Sequence, residues 1–165
     1  MEITSARIDA AAIVDKVCAQ LGRNIPCASR DRLFPWAPEE NFAEWTAAIK
    51  VRASKLQIDT ESIQWLIRRH GKRVSGILND IENNPSLAER LISTVPLIYA
   101  DLLFCARHEM VVHLDDLLRR RLPLLILAKL KEAELHRLAF FVSVELDWDD
   151  DTINREIASC FKRAS

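Results

Sequence analysis

Residues 59–85 read DTESIQWLIRRHGKRVSGILNDIENNP, and this stretch decides the fold. Ile63, Leu66 and Ile67 recur at three- and four-residue spacing, which places them on one face of a helix. Asp59 or Thr60 can accept a hydrogen bond from the first turn, and Gly71 supplies the conformational freedom that ends a helix. Val74, Ile77, Leu78 and Ile81 then form a second stripe with the same period, closed by the turn-forming Asn83-Asn84-Pro85. Two helices joined at a glycine are the smallest unit this pattern allows.

The same period continues in both directions. Upstream, Phe42, Trp45, Ile49 and Leu56 form a stripe behind Pro38, which has the look of a first-turn proline followed by the acidic Glu39 and Glu40. Ile8, Ala12, Val14, Val17, Cys18 and Leu21 predict a first helix, with Thr4 or Ser5 as its cap and Gly22 as its stop. Residues 23–37 carry two prolines and read as an irregular connector. Downstream, Thr94 and Pro96 predict the start of an apolar helix through Leu97, Tyr99, Leu102, Leu103 and Cys105. A break at residues 111–113 precedes Leu114, Leu117 and Leu118. Pro123 interrupts the pattern before Leu124–Leu127, and two more helices are expected over about 131–145 and 151–163. Neither a strand-like alternation nor an Asn-Gly hairpin occurs. The expected fold is all-α, a compact multi-helix bundle of about seven to nine helices.

Composition narrows the function. The chain has 165 residues, 49% hydrophobic and 28% charged, with a net charge of −1, so the whole molecule presents no basic field to nucleic acid. Its three glycines, Gly22, Gly71 and Gly76, are scattered. Dinucleotide and phosphate loops need clustered glycines, so no cofactor is expected in this chain. Cys18, Cys27, Cys105 and Cys160 include no close pair, which points to reduced, mostly buried thiols. Glu2 and Asp9 stand where a signal peptide would be apolar, and the run from Leu122 to Ala128 is too short to span a bilayer. A cytoplasmic location is expected.

Candidate constellations are few. His108 and His113 flank Glu109 but lie five residues apart, about 140° around a helix, whereas a zinc protease helix needs histidines four apart. No metal site is expected there. Residues 147–151 are rich in aspartate, but Thr152 and Ala158 stand where a calcium loop needs glycine and glutamate, so Asp150 or Asp151 reads as a helix cap. His70, His108, His113 and His136 have no visible catalytic partner, and each reads as a surface or helix-end residue. The four tryptophans read as core. No catalytic residue is assigned. Arg68, Arg69, Lys72 and Arg73, and then Arg119-Arg120-Arg121, form two basic clusters. Asp115, Asp116 and Glu109 nearby predict ion pairs within the fold rather than a nucleic-acid surface.

Several ordered segments resemble a known family. Arg69-His70-Gly71, Ile98-Tyr99-Ala100-Asp101, Arg107-His108-Glu109 and Leu114-Asp115-Asp116-Leu117-Leu118-Arg119-Arg120-Arg121 are similar to the C-terminal domain of FAD-dependent glycerol-3-phosphate dehydrogenases. That family has an R-Y-G segment ending one helix, a following helix with a tyrosine and a terminal acidic residue, and then L-x-D-x-L-x-R-R-T. The motif residues carried over are Arg69, Gly71, Tyr99, Arg107, Glu109, Asp116, Arg120 and Arg121. His70 replaces the usual tyrosine, and Leu122-Pro123 stands where threonine and a polar residue are usual. Ile3-Thr4-Ser5-Ala6-Arg7 and Val14-Asp15 resemble the last helix of the flavin domain, and Pro26-Cys27 through Leu33-Phe34-Pro35 resembles the link that follows.

The resemblance implies a division at 37/38. Residues 1–37 would be the remnant of the last flavin-domain helix plus connector, and 38–165 the helical C-terminal cap domain. It also implies a start inside a longer protein, FAD in the parent enzyme only, and an upstream flavin domain as partner. Homo-oligomer contacts and membrane contact through the whole enzyme are further implied partners. The parent reaction would be oxidation of sn-glycerol 3-phosphate to dihydroxyacetone phosphate, with electrons passing to FAD and then quinone, and this chain would be inert alone. Leu122, Leu124, Leu125 and Ile126 belong to a run more apolar than a half-buried helix needs, so part of it is expected to face the missing domain. The alternative is a stand-alone helical adaptor that binds protein or nucleic acid through Arg68–Arg73 and Arg119–Arg121.

Overall fold

A computed structural model describes residues 5–164 except Asp31 and Glu40, so Thr4 lies outside the described residues. Eight α-helices and no strand are present among them, and the fold is all-α. The chain divides into two units, Met1–Ala37 and Pro38–Ser165.

In the first unit, helix α1 spans Ala6–Gln20. The Ser5 hydroxyl donates to Asp9 Oδ2 at 2.9 Å in its first turn. Gly22, at φ 66°, follows the helix in the left-handed conformation that glycine adopts without a Cβ clash. α1 buries none of its residues. Beyond it, Phe34 and Trp36 stack with ring centroids 5.0 Å apart.

In the second unit, α2 spans Phe42–Lys55 and buries Trp45, Ile49 and Ala53. Asn41 caps it by accepting from the Ala43 and Glu44 amides. Pro38 therefore precedes the helix instead of opening it, because the Asn41 side chain satisfies the first free amides three residues later. α3 covers Thr60–His70, capped by Asp59, which accepts from the Glu61 and Ser62 amides. Gly71, at φ 54°, ends it, and one 3₁₀ turn leads into α4, Val74–Asn83. A second 3₁₀ turn, Pro85–Ala88, follows Asn84.

Residues 89–98 form a loop closed by the Leu91 amide donating to the Leu97 carbonyl at 2.8 Å and the Tyr99 amide to the Glu89 carbonyl at 3.0 Å. These long-range bonds hold residues 96–98 out of the helix predicted from Thr94, so α5 runs only from Tyr99 to His108. Its residues Ala100, Asp101, Leu102, Leu103, Phe104, Cys105 and Ala106 are all buried. A π-helical turn, Asp116–Arg121, comes next, with the Leu122 amide donating back five residues to Leu117 at 2.7 Å. α6 is the short Leu124–Leu127, and α7 spans Glu132–Leu146. α8 covers Asp150–Ala164. Asp149 caps it, accepting from the Thr152 amide at 2.8 Å, one residue earlier than the sequence indicated.

Two apolar clusters fill this unit. α2, α3 and α4 supply most of the first, including Leu66, Ile77, Leu78 and Ile81. The second gathers Leu114, Leu117, Leu118, Leu122 and Leu124 with Leu135, Leu138 and Val142 of α7 and Ile153 and Ile157 of α8. α5 contributes to both, Leu103 and Phe104 to the first and Leu102 and Cys105 to the second.

Candidate functional site

A polar cluster sits where α3 ends against α5. Gly71 stops α3 directly after His70, and this leaves the imidazole facing α5. Asp101 and Cys105 lie four residues apart on one stripe of α5, and Glu109, four residues further, is the residue that ends the helix. His70 Nε2 lies 2.7 Å from Asp101 Oδ1, with both side chains buried. The Cys105 thiol donates to the same oxygen at 3.6 Å. Glu109 Oε1 lies 4.0 Å from the other ring nitrogen, His70 Nδ1. The His70 ring also meets the Phe104 ring edge-on, centroids 4.7 Å apart.

Arg69 completes the surround. Its Nη2 donates to Cys105 Sγ at 3.6 Å and to the Arg121 carbonyl, so the π-helical turn is tied to this cluster. Its Nε is 4.0 Å from Asp101 Oδ2. That carboxylate oxygen accepts no hydrogen bond although it is buried. Burial, reinforced by the Asp101 and Glu109 charges and opposed by Arg69, pushes the Cys105 thiol well above its ordinary value.

The trio does not make a cysteine nucleophile. A base of that kind bridges thiol and carboxylate through its two ring nitrogens. Here Cys105 and Asp101 Oδ1 meet each other directly, and the second nitrogen of His70 faces Glu109. A thiol held protonated also attacks poorly.

The motif residues named from the sequence scatter around this cluster. Arg69, Gly71 and Glu109 border it. Tyr99 packs edge-on against Phe141 of α7 at 4.8 Å. Arg107 pairs with Glu145 at 2.6 Å and lies 3.8 Å from Asp80. Asp116 pairs with Arg120 at 3.2 Å, and Asp115 with Arg119 at 3.0 Å. Arg121 brings its backbone carbonyl to the cluster. The basic run is thus largely engaged in ion pairs within the fold.

Two expectations need correction. Leu122 and Leu124 are fully buried in the second apolar cluster, so they form core and not an outward face. Leu125 is half-buried, while Ile126 and Leu127 are exposed. Pro123 stands between the two inward leucines, and the outward pair follows in the short α6. The histidines also differ from expectation: His70 does end a helix, but it is buried with a partner. Of the thiols, Cys105 and Cys160 are buried and Cys27 is exposed. The signal for the missed partners was present in the sequence. Asp101 is the one charge in an otherwise apolar run from Ala100 to Ala106, and such a residue needs a buried partner.

A family model described as the C-terminal domain of alpha-glycerophosphate oxidase matches residues 39–153. The chain belongs to this family. A curated relative, a glycerol-3-phosphate dehydrogenase of Synechocystis sp., is 32% identical over 121 residues. The match covers 73% of this chain and 21% of the relative, so this C-terminal domain family member spans about a fifth of that protein's length. No solved structure matches the chain. No described helix is long and apolar enough to cross a membrane.

Proposed function

We propose that the chain is the helical C-terminal cap of an FAD-dependent glycerol-3-phosphate dehydrogenase, supplying packing surface to a flavin domain and inert alone. In this reading the whole enzyme oxidises sn-glycerol 3-phosphate to dihydroxyacetone phosphate and passes electrons through FAD to quinone. The observation that carries it is the family match over residues 39–153, joined to a relative that bears the dehydrogenase name. Residues 1–37 are then the end of the flavin domain and its connector. The enzyme is cytoplasmic and meets a membrane only through its other parts.

The described residues do not fit a dinucleotide seat. No strand leads through a glycine turn into a helix, and Gly22 and Gly71 sit at helix ends while Gly76 lies within α4. In this reading FAD belongs to the partner domain, and no redox step is derived from this chain. Support for a docking role comes from the exposed Ile126 and Leu127. Against the adaptor alternative, Arg119 and Arg120 pair with Asp115 and Asp116 and Arg69 binds within the fold.

The test is complementation. The chain is mixed with a separately expressed flavin domain of the same enzyme, and dye reduction by glycerol 3-phosphate is followed. Activity that appears only in the mixture is the expected result. A flavin domain that is fully active alone and unaffected by the chain overturns the proposal.

A further inference from the structure

We propose that His70, Asp101 and Cys105 form a binding site for zinc(II). The donor atoms Nε2, Oδ1 and Sγ all lie within 4.8 Å of one another, and all three residues are buried. Tetrahedral zinc with bonds of about 2.0–2.3 Å separates its ligand atoms by roughly 3.3–3.8 Å. The Sγ–Oδ1 distance of 3.6 Å already matches, and the 2.7 Å Nε2–Oδ1 hydrogen bond needs only to open by about half an ångström once a metal replaces the shared proton. The mixture of imidazole, carboxylate and thiolate suits a borderline divalent ion and excludes magnesium or calcium, which take oxygen ligands.

Three further observations support the site. Asp101 Oδ2 is buried and accepts no hydrogen bond, so this carboxylate has acceptor capacity that the protein leaves unused and a cation would satisfy. Glu109 Oε1 stands 4.0 Å from His70 Nδ1, on the side of the ring from which a carboxylate orients a metal-binding imidazole once it closes to hydrogen-bond distance. Arg69 donates to Cys105 Sγ and so stabilises a thiolate there. The charges also balance: two positive charges on the metal and one on Arg69 meet single negative charges on Asp101, Cys105 and Glu109, with none left over. Binding releases the Cys105 thiol proton to solvent, with no change of oxidation state.

The experiment uses the whole chain, unfolded in chelator and refolded with zinc or with cobalt as a spectroscopic probe. One tightly held equivalent is expected, with a thiolate-to-cobalt charge-transfer band and a raised melting temperature. C105S should abolish the band, and E109Q should weaken binding by about tenfold or more. C27S should change neither. X-ray absorption on the wild-type zinc form keeps the test independent of how C105S folds: one sulfur neighbour with nitrogen and oxygen is expected. No bound metal in well-folded wild-type protein, no sulfur neighbour, or a band lost in C27S and kept in C105S overturns the proposal.

Discussion

Asp59 shows how much one side chain can carry. It caps α3 through two amides and accepts a hydrogen bond from Ser62 Oγ at 2.7 Å. It also pairs with Arg90 at 2.7 Å, and Arg90 pairs with Glu61 as well. The Arg90 hydrogen bond, helped by Ser62, holds the Asp59 carboxyl far below the usual range. A depressed folded-state value stabilises the protein above the unfolded value of about 4, and that stability is lost as pH falls through the lower folded value. D59A should lower stability at neutral pH by about 1–2 kcal/mol, the usual worth of a lost cap. Acid titration of wild type and D59A, followed by circular dichroism, should show the gap closing below about pH 4. An undiminished gap in acid would contradict this account. The thiols give a second prediction at this scale. Cys27 is exposed, and hydrogen bonds from Ser29 lower its pKa. Iodoacetamide should label it ahead of Cys105 and Cys160, which should react only on unfolding, as peptide mass mapping would reveal. The cap at Asp59 and the stop at Gly71 were legible because their reasons are local. That Asp101 needs a buried partner was legible too, but not that the partner is His70, since the two lie 31 residues apart and only packing brings them together.

At the level of elements, the hydrophobic period located the helices and local chemistry shifted their ends. The sequence pattern starts α2 at Pro38, α5 at Thr94 and α8 at Asp150 or Asp151. Asn41, the residue 89–98 loop bonds and Asp149 set all three starts elsewhere. The π-helical turn left no mark in the pattern, because its wider spacing depends on the fit of Leu117 and Leu118 into the core. The short run after it splits by face, and this yields a paired prediction. L124A should cost about 2–5 kcal/mol, as for other buried leucines. I126S, at an exposed position, should stay within about 0.5 kcal/mol of wild type. Thermal melts of the two variants distinguish them. In the complementation assay, I126S should weaken the restored activity although its stability is unchanged.

For the molecule as a whole, all-α architecture followed from the period and from the lack of strand alternation, and the structure bears it out. α1 is a fifteen-residue helix with no buried residue, and isolated helices of about 12–15 residues are marginal in water. A protein beginning at Pro38 should therefore melt within a few degrees of the whole chain, while losing helical signal that the longer form shows only weakly. A large drop in melting temperature would instead assign α1 a stabilising role. Inside the second unit, α5 is enclosed on every side and serves both apolar clusters. Neither cluster can then open without exposing residues of the other. Amide protons of α5 should exchange with deuterium last, at a rate set by global unfolding, and both halves should lose protection together.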